Sequence, residues 1–278
     1  MADIIIVYPK TGFELNDSTI EAPLSIMSIA STLVDSYDVK IIDARIDEKW
    51  DESLKNELKK EPLCVLVSSF TGTQIKHALE VSKITKENSG TKTIWGGNHP
   101  TLFPEQTARH QLVDVAVIGN GEITIKDIAD KLSKGLPLNE VKGIAFKDKD
   151  GKIIRTPPQD ELDLDSLPRM PYELFDMERY IKGRLMAHDG TKRALPFVAS
   201  RGCPWRCSFC SQPAFSKRKW IAMSAKRTVE ETDYLVEIIY AADVTVRRVR
   251  FDDVAKTKCI VLTVIILSQR DGANIEFE

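Results

Sequence analysis

The chain has 278 residues, 42% of them apolar and 29% charged, with a formal net charge of -2. That is ordinary globular composition, with room for one large or two medium domains and no excess of positive charge for a nucleic-acid partner. The opening MADIIIVYPK is neither a signal peptide nor a membrane span, and the apolar run CIVLTVIIL at residues 259–267 is too short to span.

From the N-terminus, short runs rich in Val and Ile recur at residues 3–7 (DIIIV), 37–42 (YDVKII), 63–68 (LCVLVS), 91–95 (TKTIW) and 113–118 (VDVAVI). They read as buried parallel strands. Between them lie helical patterns: one opened by Pro23, with Leu24, Met27 and Leu33 on one face; one from about Gln74, with Ala78, Leu79 and Val81; one after Glu122, with Ile125, Ile128, Ala129 and Leu132. Strand–helix alternation predicts an α/β fold with a doubly wound parallel sheet, Rossmann-like or flavodoxin-like, over residues 1–135. Its five strands and their helices are expected to form a closed unit able to fold alone.

Such sheets bind ligands beyond the carboxyl ends of their strands. The residues there are small or hydroxylic: SSFTGT at 68–73, GGNHPT at 96–101 and GNGE at 119–122. Ser68, Thr71, Gly96, Gly97, Gly119, Gly121 and Glu122 are therefore candidate ligand contacts, since glycine lets a ligand approach the backbone and hydroxyls bond its polar edge. The competing reading is that these residues only turn the chain. His99 reads as a turn residue before Pro100.

Residues 136–194 change character. VKGIAFKDKDGKIIRTPP reads as a hairpin turning at Asp148–Gly151, and DLDSLPRMPYELFD as an ordered, proline-rich strap. Residues 195–200 (LPFVAS) are a further strand candidate. The segment RGCPWRCSFC follows, with Cys203, Cys207 and Cys210 spaced C-x3-C-x2-C, and a helical stretch starts near Ser224.

Five cysteines, three of them within eight residues, do not form a secreted disulfide framework; the expected setting is the reducing cytoplasm. Thiolates suit zinc or an iron–sulfur cluster. A structural zinc site closes with four ligands, usually as two pairs, and no second pair is present. Cys64 and Cys259 lie in apolar runs and read as core thiols. Three thiols on one loop can hold a cubane with one iron left open.

The triplet, its aromatic Phe209 and the strand leading into it resemble the signature of the radical S-adenosylmethionine superfamily. KRKW at 217–220, VEETDYLV at 229–236 and VRFDD at 249–253 resemble members with an N-terminal cobalamin-binding domain, among them methylases of unactivated carbons and cyclases of anaerobic tetrapyrrole synthesis. The resemblance implies that residues 195–278 begin a partial (β/α)6 barrel, with strands near 246–251 and 274–277, and that the chain is shorter than such a barrel needs. It implies a [4Fe-4S] cluster on Cys203, Cys207 and Cys210, with S-adenosylmethionine on the open iron. Phe209 would lie near the adenine, and Asp252 and Asp253 near the methionine amino group; an Asp pair is also a common helix N-cap. It implies cobalamin as second cofactor, a small-molecule substrate and a reducing electron donor. The D-x-H-x-x-G motif that supplies a cobalt-ligating histidine in other cobalamin domains is absent; YPKTG stands after the first strand. A cobalamin-binding module with an inactive barrel is the alternative.

Overall fold

The computed structural model describes residues 3–14, 20–181 and 195–240. Strands β1 (Ile4–Tyr8), β2 (Val39–Asp43), β3 (Cys64–Ser68), β4 (Lys92–Gly96) and β5 (Val115–Val117) are parallel, in the order β2-β1-β3-β4-β5. Successive side chains of a strand point to opposite faces. Ile4, Ile6, Cys64, Leu66, Ile94, Val115 and Val117 therefore share one core with α1 (Leu24–Ser31) and α6 (Glu122–Ser133). Ile5, Val7, Val65, Val67 and Trp95 share the other with α2 (Trp50–Leu58) and α3 (Thr73–Asn88). Burial raises the Cys64 thiol to about 12, as befits a core thiol.

The sheet is doubly wound, and the strand order reverses beside β1. A ligand crevice is expected at the carboxyl ends beside this switch. Two short helices, α4 (Asn98–Leu102) and α5 (Pro104–Arg109), fill the crossover from β4 to β5. The hairpin of β6 (Ile144–Lys147) and β7 (Ile153–Arg155) pairs antiparallel onto β5 and extends the sheet to seven strands.

The remaining elements are α7 (Met177–Ile181), β8 (Ser200–Gly202), α8 (Gln212–Ser216), β9 (Trp220–Ala222) and α9 (Ala225–Tyr240). The strand expected at 195–200 forms later, as β8, and pairs antiparallel with β9. Pro196 lacks the N–H that a ladder needs, which delays the strand. The expected strands at 246–251 and 274–277, with Asp252, Asp253 and Cys259, lie outside the described residues.

One expectation is corrected. The core of the first sheet face is not closed within residues 1–134. Tyr172, Phe175, Tyr180, Ile181, Leu195, Phe197, Leu235 and Ile239 belong to the same buried cluster as Ile4, Met27 and Ile128. The strap and α9 thus complete that face. A polar clamp fixes the strap at the edge of the sheet. Tyr180 donates to Asp43 Oδ2 at 2.9 Å, Arg45 grips the same carboxylate through Nε (2.9 Å) and Nη2 (2.6 Å), and the Arg45 guanidinium lies 4.2 Å from the centre of the Tyr8 ring. Burial, then the Asp43 charge, pushes the Tyr180 hydroxyl well above its ordinary value.

Candidate functional site

The carboxyl ends of β3, β4 and β5 open into a cavity of about 420 Å³. Its floor includes Ser68, Gly96, Gly97, Gly119, Gly121 and Glu122, six of the seven candidates on the rim loops. Leu24 and Ser28 of α1, Leu167 and Tyr172 of the strap, Phe197, Arg201 of β8, and Arg227 and Glu231 of α9 close it. A second cleft of about 560 Å³ shares Gly97, Asn98, Gly119, Asn120 and Arg201 with the first and is otherwise lined by the hairpin side and by Gly202, Gln212, Ala214, Phe215 and Ser216 of the cysteine region. The rim of the sheet and the cysteine-bearing segment thus face each other across connected space.

The glycines of the rim differ in what they do. A Cβ on Gly96 would meet nothing within 4 Å, and its backbone is not in the left-handed region. Gly96 therefore leaves open space that a ligand can use. Gly97 has φ +104°, and a Cβ there would stand 2.8 Å from the Ser69 carbonyl oxygen, so this glycine is required by the backbone itself. Thr71 is exposed and lies off the cavity; its hydroxyl is 3.3 Å from Nδ1 of the buried His99, whose pKa is lowered by desolvation.

Glu122, the first residue of α6, is 3% exposed. Its Oε1 accepts from Ser28 Oγ at 2.7 Å and from Arg201 Nη1 at 2.6 Å, while Arg201 Nη2 donates to Ser28 Oγ at 3.0 Å. Glu122 Oε2 is buried with no partner among the described residues. On the facing wall, Glu231 Oε1 accepts from Arg227 Nη2 at 3.0 Å and from Arg169 Nε at 3.2 Å, and Arg227 Nε is likewise buried without a partner. A largely apolar cavity, among whose residues one buried acceptor and one buried donor lack partners, suits a large ligand carrying neutral polar groups. The glycine floor and these orphan atoms fit a cobalamin with its carboxamide side chains.

Gly202 has φ +87°, and a Cβ there would collide with the Lys219 carbonyl oxygen, so β8 and β9 close tightly before the cysteines. Cys203 is half-buried; Cys207 and Cys210 are exposed. Cys210 N–H donates to the Cys207 carbonyl at 3.1 Å, and Ser216 Oγ to the Cys203 carbonyl at 3.2 Å. Three thiols on one short loop are a donor set suited to an iron–sulfur cluster. They do not converge: among the described residues no three His, Cys, Asp or Glu groups form a metal-holding arrangement. Phe209 is 91% exposed, its ring free for a ligand to stack on. The Ser28–Glu122–Arg201 linkage was not legible in the sequence. Its members are 94 and 79 residues apart, and Arg201 reads there only as the entry to the cysteine triplet.

Residues 17–129 match the B12 binding domain family. In sequence, the chain is 32% identical over 240 residues to an uncharacterized methyltransferase of Pyrococcus horikoshii, covering 84% of this chain and 50% of that one. It is 30% identical over 220 residues to the anaerobic magnesium-protoporphyrin IX monomethyl ester cyclase of Synechocystis sp., covering 77% and 42%. The chain thus spans about half the length of these curated relatives, or less. In fold, it matches the cobalamin-dependent S-adenosylmethionine radical enzyme OxsB with aqua-cobalamin and S-adenosylmethionine bound (TM-score 0.67, 24% identity, 84% of this chain and 31% of that one). It also matches the radical S-adenosylmethionine methyltransferase TsrM of Kitasatospora setae with cobalamin and [4Fe-4S] cluster bound (TM-score 0.63, 18% identity, 86% and 47%). No helix among the described residues is long and apolar enough to cross a membrane.

Proposed function

The chain belongs to the family of B12-binding radical S-adenosylmethionine proteins, and from that premise we propose that it holds cobalamin against the rim of its parallel sheet, facing an iron–sulfur cluster on Cys203, Cys207 and Cys210. The observation that carries the proposal is the 420 Å³ cavity, floored by the glycines at the ends of β4 and β5 and walled by the strand that leads into the cysteine triplet. In this reading Gly96 gives the flat tail of the ligand its room, Ser68 bonds its polar edge, and Gly97 and Gly119 let it lie against backbone. Thr71, with its hydroxyl beside His99, stands at the outer lip rather than in the slot.

When bound, the cluster would supply the electron that splits the sulfonium carbon–sulfur bond of S-adenosylmethionine into methionine and a 5′-deoxyadenosyl radical, and cobalamin would supply a carrier for one-carbon or electron transfer. The chain's own residues bind and position. The three thiols would hold three irons and leave one open for the amino and carboxylate groups of S-adenosylmethionine. Phe209 would stack on the adenine, and Asp252 and Asp253 would pair with the ammonium. Apolar strap residues such as Leu167 and Tyr172 keep water out of the cavity. A small-molecule substrate, a reducing electron donor and a cytoplasmic setting belong to the same proposal. Anaerobic reconstitution with iron and sulfide tests it: about four irons per chain are expected, and Cys203→Ala, Cys207→Ala and Cys210→Ala should each abolish stable binding, with Cys64→Ala neutral. No iron uptake by the unaltered chain would overturn the cluster.

A second reading rests on the separation of the three thiols and the exposure of Cys207 and Cys210. The chain would then be a cobalamin-binding module with an inactive barrel. It predicts a cobalamin spectral change with no cleavage of S-adenosylmethionine.

A further inference from the structure

We propose that Glu122 is a positioning residue that reads the occupant of the cavity with one oxygen and holds the entry to the cysteine loop with the other. The inference rests on the cobalamin reading above and assigns Glu122 a second task within it. Oε1 is fully engaged, accepting from Arg201 on β8 and from Ser28 on α1. Oε2 is buried with no partner among the described residues, and Glu122 is one of the residues around the same space.

A buried carboxylate oxygen left unpaired costs the desolvation of a charged group. An N–H donor from the occupant removes that cost, and a carboxamide carries such donors. Arg201 stands two residues before Cys203, on a strand pinned by Gly202 against Lys219. Whatever fixes the Glu122 carboxylate therefore also fixes the guanidinium, the strand and the first cysteine. Filling the cavity and ordering the cysteine loop become coupled events, and coupling is reciprocal: if cobalamin favours the cluster, the cluster favours cobalamin by the same factor.

The geometry separates two variants. Glu122→Gln keeps the size of the side chain. Its carbonyl can still accept from Arg201, but its second arm becomes a donor and opposes the occupant's N–H. Arg201→Lys leaves Oε2 untouched and replaces the two-armed grip on Glu122 and Ser28 with a single ammonium.

The test uses the full chain, reconstituted anaerobically, with hydroxocobalamin as probe. Affinity is measured by visible titration. Loop order is read as the rate at which a chelator strips iron, with and without hydroxocobalamin, and thermal unfolding monitors the fold. In the unaltered chain hydroxocobalamin should slow iron loss several-fold. Glu122→Gln should lose about tenfold or more in affinity and most of the protection. Arg201→Lys, which changes the cavity wall but not Glu122 itself, should lose less affinity than Glu122→Gln and still lose the protection. That split is not produced by general loosening of the fold, which would lower both together. Unaltered affinity and protection in Glu122→Gln, or parallel losses in Arg201→Lys, would overturn the role of Glu122 and leave cobalamin binding standing. Absence of hydroxocobalamin binding by the unaltered chain would remove the reading beneath it as well.

Discussion

Gly96 and Gly97 are neighbours with opposite tolerances. At Gly97 the left-handed backbone and the Ser69 carbonyl leave no place for a side chain. Gly97→Ala should lower stability by about 1–3 kcal/mol, measured by thermal or urea unfolding. Read as a loop residue, Gly97 looks like the natural place to block the slot with valine; the structure makes it a poor probe, because lost binding would follow lost folding. Gly96, with open space over its Cα, is the clean one. His99 offers a pH test. Its pKa is lowered by desolvation, so the folded protein prefers the neutral ring. Between the ordinary value of about 6.5 and the lower folded value the unfolded chain binds more protons, and stability falls as pH falls. Unfolding midpoints should drop more steeply below about pH 6.5 in the unaltered protein than in His99→Asn; equal slopes would contradict a buried neutral His99.

The elements of the sheet were mostly legible. β1 to β5 form within two residues of the positions expected from their Val and Ile content, and α1, α3 and α6 where apolar periodicity put them. Helix α2 was missed, although Trp50, Leu54 and Leu58 recur every four residues and are all buried; the charged residues between them hid the stripe. The hairpin was read, but its attachment to β5 was not, because pairing between strands of different units leaves no local signal. Six of the seven rim candidates line the cavity, since strand ends carry their loops with them. The polar linkages did not show, because they depend on which distant side chains the fold brings together. The clamp at the strap is one. Tyr180→Phe leaves Asp43 with Arg45 alone and should cost about 1 kcal/mol in unfolding measurements. An unchanged stability would show that the strap is held by packing alone.

At the scale of the whole molecule, the core passes without a break from the sheet to α9. Leu235 and Ile239 are fully buried against the face that carries Met27 and Ile128. Leu235→Ala should cost about 2–5 kcal/mol, as large-to-small changes in tight cores do. A piece ending near Lys134 would uncover this face and the partner strands of the hairpin. It should unfold less cooperatively and at lower temperature than the full chain, by calorimetry, and a sharp transition at the same temperature would contradict the continuous core. This continuity has a functional side. It places the β8 strand, and with it the cysteine loop, at a fixed distance from the sheet rim, as the proposed pair of cofactors would require. The central claim is that the cavity at that rim holds cobalamin. Titration of hydroxocobalamin into the full chain and into Gly96→Val, with thermal unfolding of both, tests it most directly. The account predicts a saturable spectral change in the unaltered chain that is lost in Gly96→Val at the same unfolding temperature; equal binding by both chains, or none by either, would contradict it.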